Sequence, residues 1–288
     1  MKNIADTAYL VAMYRALESE RVNALFRDPY ARLLAGGKGA MLVEVIGETE
    51  KITNAIALRT RLIDEQIEKL VNSKNIDTVL NLAAGLDARP YRLSLPNSLR
   101  WIEVDLPEIL IEKEQKLHHA QPICSLKRIK LDITDKFLRK RLFAEISQNS
   151  KQVLVITEGL LSYLPEIQVA SIAADIYEQS KFTWWLFELE SADTLQYYDK
   201  VYARKIFDQY FASGNRTLLF APREGTNFFE KYGWRVAESL CACKELRRLK
   251  RQVKLAWLVE LLNQAKLNNI HNQQSSIVLL RRGAFSIP

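Results

Sequence analysis

An α/β fold built on a parallel sheet is predicted by three features of this sequence. Apolar, strand-like runs alternate with helical periodicity from about residue 76 onward, the pattern of strands joined by crossover helices. Three of those runs stop at a glycine turn or a carboxylate: Val79 to Gly85, Trp101 to Asp105, and Val153 to Glu158. A helical stretch precedes them, so residues 1–75 read as a cap of the same domain. Residues 76–288 then form the core, with a substrate-side insertion at about 190–232.

Within the cap, Leu10, Tyr14 and Leu17 make one helical stripe, Asp28-Pro29-Tyr30 is a break, and Gly36-Gly37-Lys38-Gly39 reads as a flexible turn. A helix is expected from Asn54 to Val71. There Arg59, Ile63 and Ile67 are spaced by four, which puts Arg59 on the apolar face and Arg61 roughly opposite. An inward arginine needs an anion, either a nearby Asp or Glu or the carboxylate of a ligand gripped in bidentate fashion.

Strands are expected at Asp77 to Ala83, Leu99 to Val104, Lys127 to Leu131, Gln152 to Thr157 and Phe182 to Leu189, then at Arg235 to Ala242 and Ser275 to Arg281. Pro107 suits the first turn of a helix running through Leu110 and Leu117, with Glu112 and Lys116 paired one turn apart. Pro165 is expected to do the same for a helix whose Val169, Ile172, Ala173 and Ile176 face the sheet.

Composition narrows the function classes. A chain of 288 residues with 48% hydrophobic and 26% charged residues has the make-up of one large globular domain. No run approaches the ~18 apolar residues of a membrane helix, and the start, Met-Lys-Asn-Ile-Ala-Asp, lacks a signal-peptide pattern, so a cytoplasmic location and no membrane partner are expected. Cys124, Cys241 and Cys243 are odd in number and read as reduced thiols; with His118, His119 and His271 scattered, no metal centre is expected. The net charge of +7 concentrates in Lys127 to Arg141 and Lys244 to Lys254. Those stretches are either solvated helix faces or a footprint for RNA or an acidic protein; they lack interleaved aromatics, which disfavours nucleic acid.

Gly-x-Gly-x-x-Gly is absent. In its place stand Leu86-Asp87-x-Arg89 with Tyr91-Arg92-Leu93, then Glu103-Val104-Asp105-x-Pro107, then Glu158-Gly159-Leu160-Leu161-x-Tyr163-Leu164, preceded by Arg15-Ala16-Leu17-Glu18-Ser19 and Arg27-Asp28-Pro29-Tyr30. In this order they resemble the leucine carboxyl methyltransferase family of S-adenosylmethionine-dependent O-methyltransferases, from about Thr7 to Trp234. The resemblance implies a Rossmann-like class I methyltransferase sheet, mostly parallel with one reversed strand near its edge, an N-terminal helical cap and a C-terminal insertion. It implies S-adenosyl-L-methionine as cofactor, with Arg59 at the family's position for the methionine carboxylate and Glu158 at the position facing the methionine amino group.

The other strand ends have physical roles for such a ligand. Gly85 permits close backbone approach, Asp105 can accept both ribose hydroxyls, Asp132 is placed to accept from the adenine amino group, and Ile133 can offer its backbone amide to the ring. Any one of these carboxylates could instead be a helix cap or surface ion pair. The family usually has Gly-Ala-Gly where this chain has Ala83-Ala84-Gly85; the methyl at Ala83 narrows the space and is tolerable if residue 83 remains in the strand with negative φ.

Methyl transfer from a sulfonium needs mainly alignment. A carboxylate acceptor, with a pKa of ~4, needs no base, whereas a phenol near ~10 benefits from one. No convincing base is visible, Tyr163 and Glu158 being the nearest candidates, so a small-molecule carboxylate or acidic hydroxyl is the expected acceptor. A protein C-terminal carboxylate, a modified tRNA base, and an inactive cofactor-binding scaffold are the other readings. Trp184, Trp185, Phe187, Tyr197, Tyr198, Tyr202, Phe207, Tyr210 and Phe211 crowd together, either as core or as the wall of an acceptor pocket.

Overall fold

The computed structural model describes residues 6–46, 50–192, 195, 219–251 and 275–283. Seven strands form one sheet: β1 (Thr78–Leu82), β2 (Arg100–Asp105), β3 (Ser125–Lys130), β4 (Val153–Thr157), β5 (Phe182–Leu189), β6 (Trp234–Cys241) and β7 (Ser276–Arg282). Their order across the sheet is β3-β2-β1-β4-β5-β7-β6. The first five are parallel, and β7 runs antiparallel to both β5 and β6, which is the one reversed strand beside the edge that the resemblance implied.

Every residue of β1 and β4 is buried, because helices cover both faces of a parallel sheet. Successive side chains alternate between those faces. Leu80, Leu82, Val153 and Val155 pack on one side with Val169, Ile172, Ala173 and Ile176 of α7 (Glu166–Glu178) and with Phe143 and Ile146 of α6 (Lys136–Gln148). Val79, Trp101, Leu154 and Ile156 pack on the other with Leu62, Ile63 and Ile67 of α3 (Glu50–Ser73). Trp185 and Phe187 of β5 lie in the first of these cores against Phe229. They are core residues, and Tyr197, Tyr198, Tyr202, Phe207, Tyr210, Phe211 and His271 lie outside the described residues.

The cap follows the expected break but differs in detail. In α1 (Thr7–Glu20) the residues that bury against α2 (Ala31–Ile46) are Tyr9, Ala12, Met13 and Ala16, while Leu10 and Leu17 are only half-buried at its margin. At Gly36 the backbone leaves helical geometry, with φ +57° and ψ −163°, a conformation glycine adopts without a side-chain penalty, so α2 is two helical segments joined at a kink and the expected turn narrows to that residue. Among the connections, Pro107 is the first residue of α5 (Pro107–Lys116) and Glu112 pairs with Lys116 at 2.6 Å. Pro165 stands one position earlier relative to its helix, as the residue before α7.

β3 is an edge strand, and Lys127 and Lys130 point from it to Glu145 and Glu114, the charged edge that discourages pairing with other sheets. Among the described residues no helix is long and apolar enough to cross a membrane and no cluster could hold a metal ion, and Cys124, Cys241 and Cys243 are not joined in disulfides.

Candidate functional site

The chain runs from β1 outward to β2 and β3, then crosses back to place β4 and β5 on the other side of β1. Connections leaving in opposite directions open a crevice at the carboxyl ends of the strands, where ligands bind in sheets of this kind. A cavity of about 280 Å³ lies there. Arg59, Ala83, Gly85, Asp105, Asp132, Ile133 and Glu158 all line it, so residues from four strand ends and from α3 converge on one space.

Gly85 and Asp105 tie two strand ends together. The Gly85 N–H donates to Asp105 Oδ2 at 2.6 Å and the Leu106 N–H to Oδ1 at 2.7 Å. Gly85 has φ +50°, and its lack of a side chain leaves backbone open to the cavity. Burial pushes the Asp105 carboxyl above its ordinary value, with the two N–H donors working in the opposite direction. Asp132 is exposed at the rim, where Oδ1 accepts from the Thr134 N–H at 2.8 Å and hydroxyl at 2.7 Å, a local turn that fixes the carboxylate. The cap of α6 is Asp135, so Asp132 is not a helix cap. Ile133 behind it is buried.

Ala83 departs from the expectation of a strand residue with negative φ. β1 ends at Leu82, and Ala83 has φ +55°. A side chain in the left-handed region costs about 1–2 kcal/mol, which explains why a glycine would be natural there. Ala83 lines the cavity and also packs against the core beneath it.

Arg59 projects inward, as its spacing predicted, and Arg61 pairs on the surface with Glu65 at 2.8 Å. The anion beside Arg59 is Glu158: Arg59 Nε lies 2.9 Å from Oε1. Glu158 Oε2 accepts from Arg89 Nη1 at 2.6 Å. Both oxygens are thus engaged by guanidinium groups, and although burial opposes the charge, Arg89 and then Arg59 hold the Glu158 carboxyl below its ordinary range.

Sequence reasoning quoted Arg89 in a motif without seeing its work. Arg89 is 2% exposed and holds Asp64 at 2.6 Å, Asp87 at 2.9 Å and Glu158 at 2.6 Å. Arg92 grips Asp64 with two bonds, and Arg15 joins Asp28 to the Leu86 carbonyl. This buried charged layer seats the cap on the strand ends. Glu188 was also missed, although it lies in the last two residues of β5, near where Glu158 follows β4; its Oε1 accepts from the Gly159 N–H at 2.6 Å. Arg15 and Arg59 line the cavity with Asp87, Asp105, Asp132 and Glu158, and Arg89 neutralises Asp87 and Glu158, which leaves Asp105 and Asp132 as the carboxylates held by neutral donors.

Fold and crevice together define a Rossmann-like class I methyltransferase architecture. Two solved structures share it over nearly their whole length: a DUF574 family protein from Streptomyces avermitilis (TM-score 0.57, 12% identity, 96% of this chain and 97% of that one) and a structure from Thermobifida fusca described provisionally as a methyltransferase (TM-score 0.55, 13% identity, 94% and 95%). The model of the leucine carboxyl methyltransferase family matches residues 8–177, more than half of the chain, and the protein belongs to that family. Among curated relatives, one from Mycobacteroides abscessus is 33% identical over 178 residues, 57% of this chain and 59% of its own length. Another, from Streptomyces coelicolor, is 33% identical over 186 residues, 60% and 64% respectively. Both bear the provisional description S-adenosyl-L-methionine-dependent methyltransferase, and the similarity spans about three fifths of their length.

Proposed function

We propose that this protein is an S-adenosyl-L-methionine-dependent O-methyltransferase acting on a small-molecule carboxylate or acidic hydroxyl. The observation that carries the reading is the sign of the charge at the strand ends. Of the four carboxylates that line the crevice, Arg89 and Arg59 neutralise Asp87 and Glu158, while Asp105 and Asp132 are held by neutral donors, so a polyphosphate cofactor would meet repulsion at those two, while a nucleoside with a net positive charge is favoured.

The residues present suit that ligand. Each oxygen of Asp105 accepts one backbone N–H and retains a further lone pair, leaving two acceptors for a pair of ribose hydroxyls. Asp132 at the rim stands beside the apolar Ile133, with Leu106 and Ile109 also lining the cavity, a setting for a flat base with an amino group. Arg59 is the cation for the methionine carboxylate, and its ion pair with Glu158 holds it in the cavity wall. The volume of about 280 Å³ lies near the lower end of small-molecule sites, which start at roughly 300 Å³.

S-adenosyl-L-methionine supplies a methyl group already activated by its positive sulfur. The protein then has to orient donor and acceptor and exclude water. Tyr163 lines the cavity, but burial pushes its phenol above the ordinary value, so it can donate a hydrogen bond and not take up a proton at neutral pH. Glu158 is held by two guanidiniums. Among the described residues no histidine lines the cavity; His118 and His119 stack on each other beyond the end of α5. Lack of a placed base supports an acceptor that arrives ionised.

Incubation with methyl-labelled donor and separate small-molecule, protein and tRNA fractions tests the reading. Label should enter low-mass species and leave as methanol on mild alkali when the product is an ester. Label in RNA or protein alone would replace the acceptor assignment, and saturable donor binding with no transfer to any fraction would favour the scaffold reading.

A further inference from the structure

The buried end of β5 holds a group that the methyl-transfer reading does not use. Glu188 is 5% exposed, and while its Oε1 is bonded to the Gly159 N–H at 2.6 Å, its Oε2 is buried with no hydrogen-bond partner among the described residues. An ionised carboxylate with an idle buried oxygen is costly.

The groups that face it come from several elements. α3 contributes Arg59, the turn after β4 contributes Glu158 and Tyr163, and the end of β5 contributes Glu190, itself bonded to Ser275 at the start of β7. One guanidinium, already 2.9 Å from Glu158, therefore faces three carboxylates. Gly159 lines the cavity, so the N–H that Glu188 holds belongs to the cavity wall.

We propose that Glu188 is a positioning residue that holds a proton until a cationic methyl donor enters, then releases it, so that the site favours the donor over the spent product. This rests on the donor reading above. The donor has a positive sulfur, an ammonium and a carboxylate, for a net charge of +1; the demethylated sulfide has lost the sulfur's charge and is a neutral zwitterion. Both share the carboxylate that engages Arg59, so any effect of that contact on Glu188 is common to the two ligands. The remaining difference is one positive charge, which stabilises ionised Glu188 when the donor is bound and not when the product is bound. Burial raises the Glu188 carboxyl to about 7, with Glu158 and Glu190 adding to it and Arg59 opposing, so its proton is exchangeable at neutral pH. The proton goes to solvent, and no covalent bond of the ligand changes in this step.

Calorimetric titration at pH 7.0 in phosphate and in Tris, buffers with different heats of ionisation, counts the protons released by S-adenosylmethionine and by S-adenosylhomocysteine. The wild-type protein should release about half a proton more with the donor, since a group near its pKa is about half protonated. Glu188→Gln, whose amide oxygen can still accept from Gly159, should abolish the difference, and Glu190→Gln should keep a smaller one, since Glu190 helps to raise the Glu188 carboxyl. Equal counts for the two ligands in the wild-type protein would overturn the proposal without any variant. So would loss of the difference in Glu190→Gln but not in Glu188→Gln. Absence of donor binding altogether would instead remove the methyl-donor reading on which the proposal stands.

Discussion

At Ala83 and Glu188 the local setting departs from what the residue types favour. Ala83 holds φ +55°. Ala83→Gly should raise stability by about 1 kcal/mol, since glycine adopts this conformation freely, with a small opposing cost in unfolded-chain entropy; a urea midpoint that falls would contradict the strain. Glu188 ionises near 4.5 in an unfolded chain and near 7 in the fold. Between those values the folded state binds more protons, so its contribution to stability declines as pH rises from about 4.5 to about 7 and is level above that. At 1.36 kcal/mol per unit the loss is about 3 kcal/mol. Glu188→Gln should therefore flatten the difference in urea midpoints between pH 5 and pH 7.5, and an unchanged slope would contradict it. Neither feature could be read from the chain. A positive φ at alanine depends on where β1 stops, and the Glu188 environment is assembled from α3, the turn after β4, and β5.

At the scale of elements, the strand ends were legible because each apolar run terminates abruptly at a polar residue. Asp105 closes β2 and Glu158 follows β4 within a residue of the expected bounds. The inward face of α3 was legible too, since Arg59 repeats with Ile63 and Ile67. What could not be read is the layer that joins α3 to the sheet. Arg89 meets Asp64 from 25 positions before it and Glu158 from 69 after it, and no local spacing encodes such pairings. Arg89→Met would leave Asp64, Asp87 and Glu158 buried without their shared cation. Removing one partner of a buried ionic group costs about 3–5 kcal/mol, so this variant should unfold at markedly lower urea; a midpoint within 0.3 M of wild type, taken as roughly 1 kcal/mol at the usual urea dependence, would show that Arg92 alone suffices. The break at Gly36 was legible in the glycine cluster, but its narrowness was not, because Gly39 packs against Tyr9 and Met13 of α1 and the residues after Gly36 are helical.

For the whole molecule, charge is separated by location. The basic stretch from Lys127 to Arg141 is largely paired, with Arg128 on Glu103, Lys130 on Glu114, Arg139 on Asp175 and Lys140 on Glu178, and in the second stretch Arg248 meets Glu65 and Arg251 meets Glu18. Those pairings neutralise much of both stretches locally, and Arg139 and Arg251 are buried in them, not solvated. The one reversed strand followed from family resemblance and not from periodicity, because strand direction is not written in an apolar run, and the order of the strands was not read from the chain. Calorimetric titration of S-adenosyl-L-methionine into the wild-type protein and into Asp105→Ala tests the central claim, that strand-end carboxylates and an inward guanidinium converge on a cationic nucleoside. Saturable one-to-one binding, weakened by about 5- to 150-fold in the variant, equivalent to about 1–3 kcal/mol, is the expected result; equal affinities, or no binding to the folded wild-type chain, would contradict it.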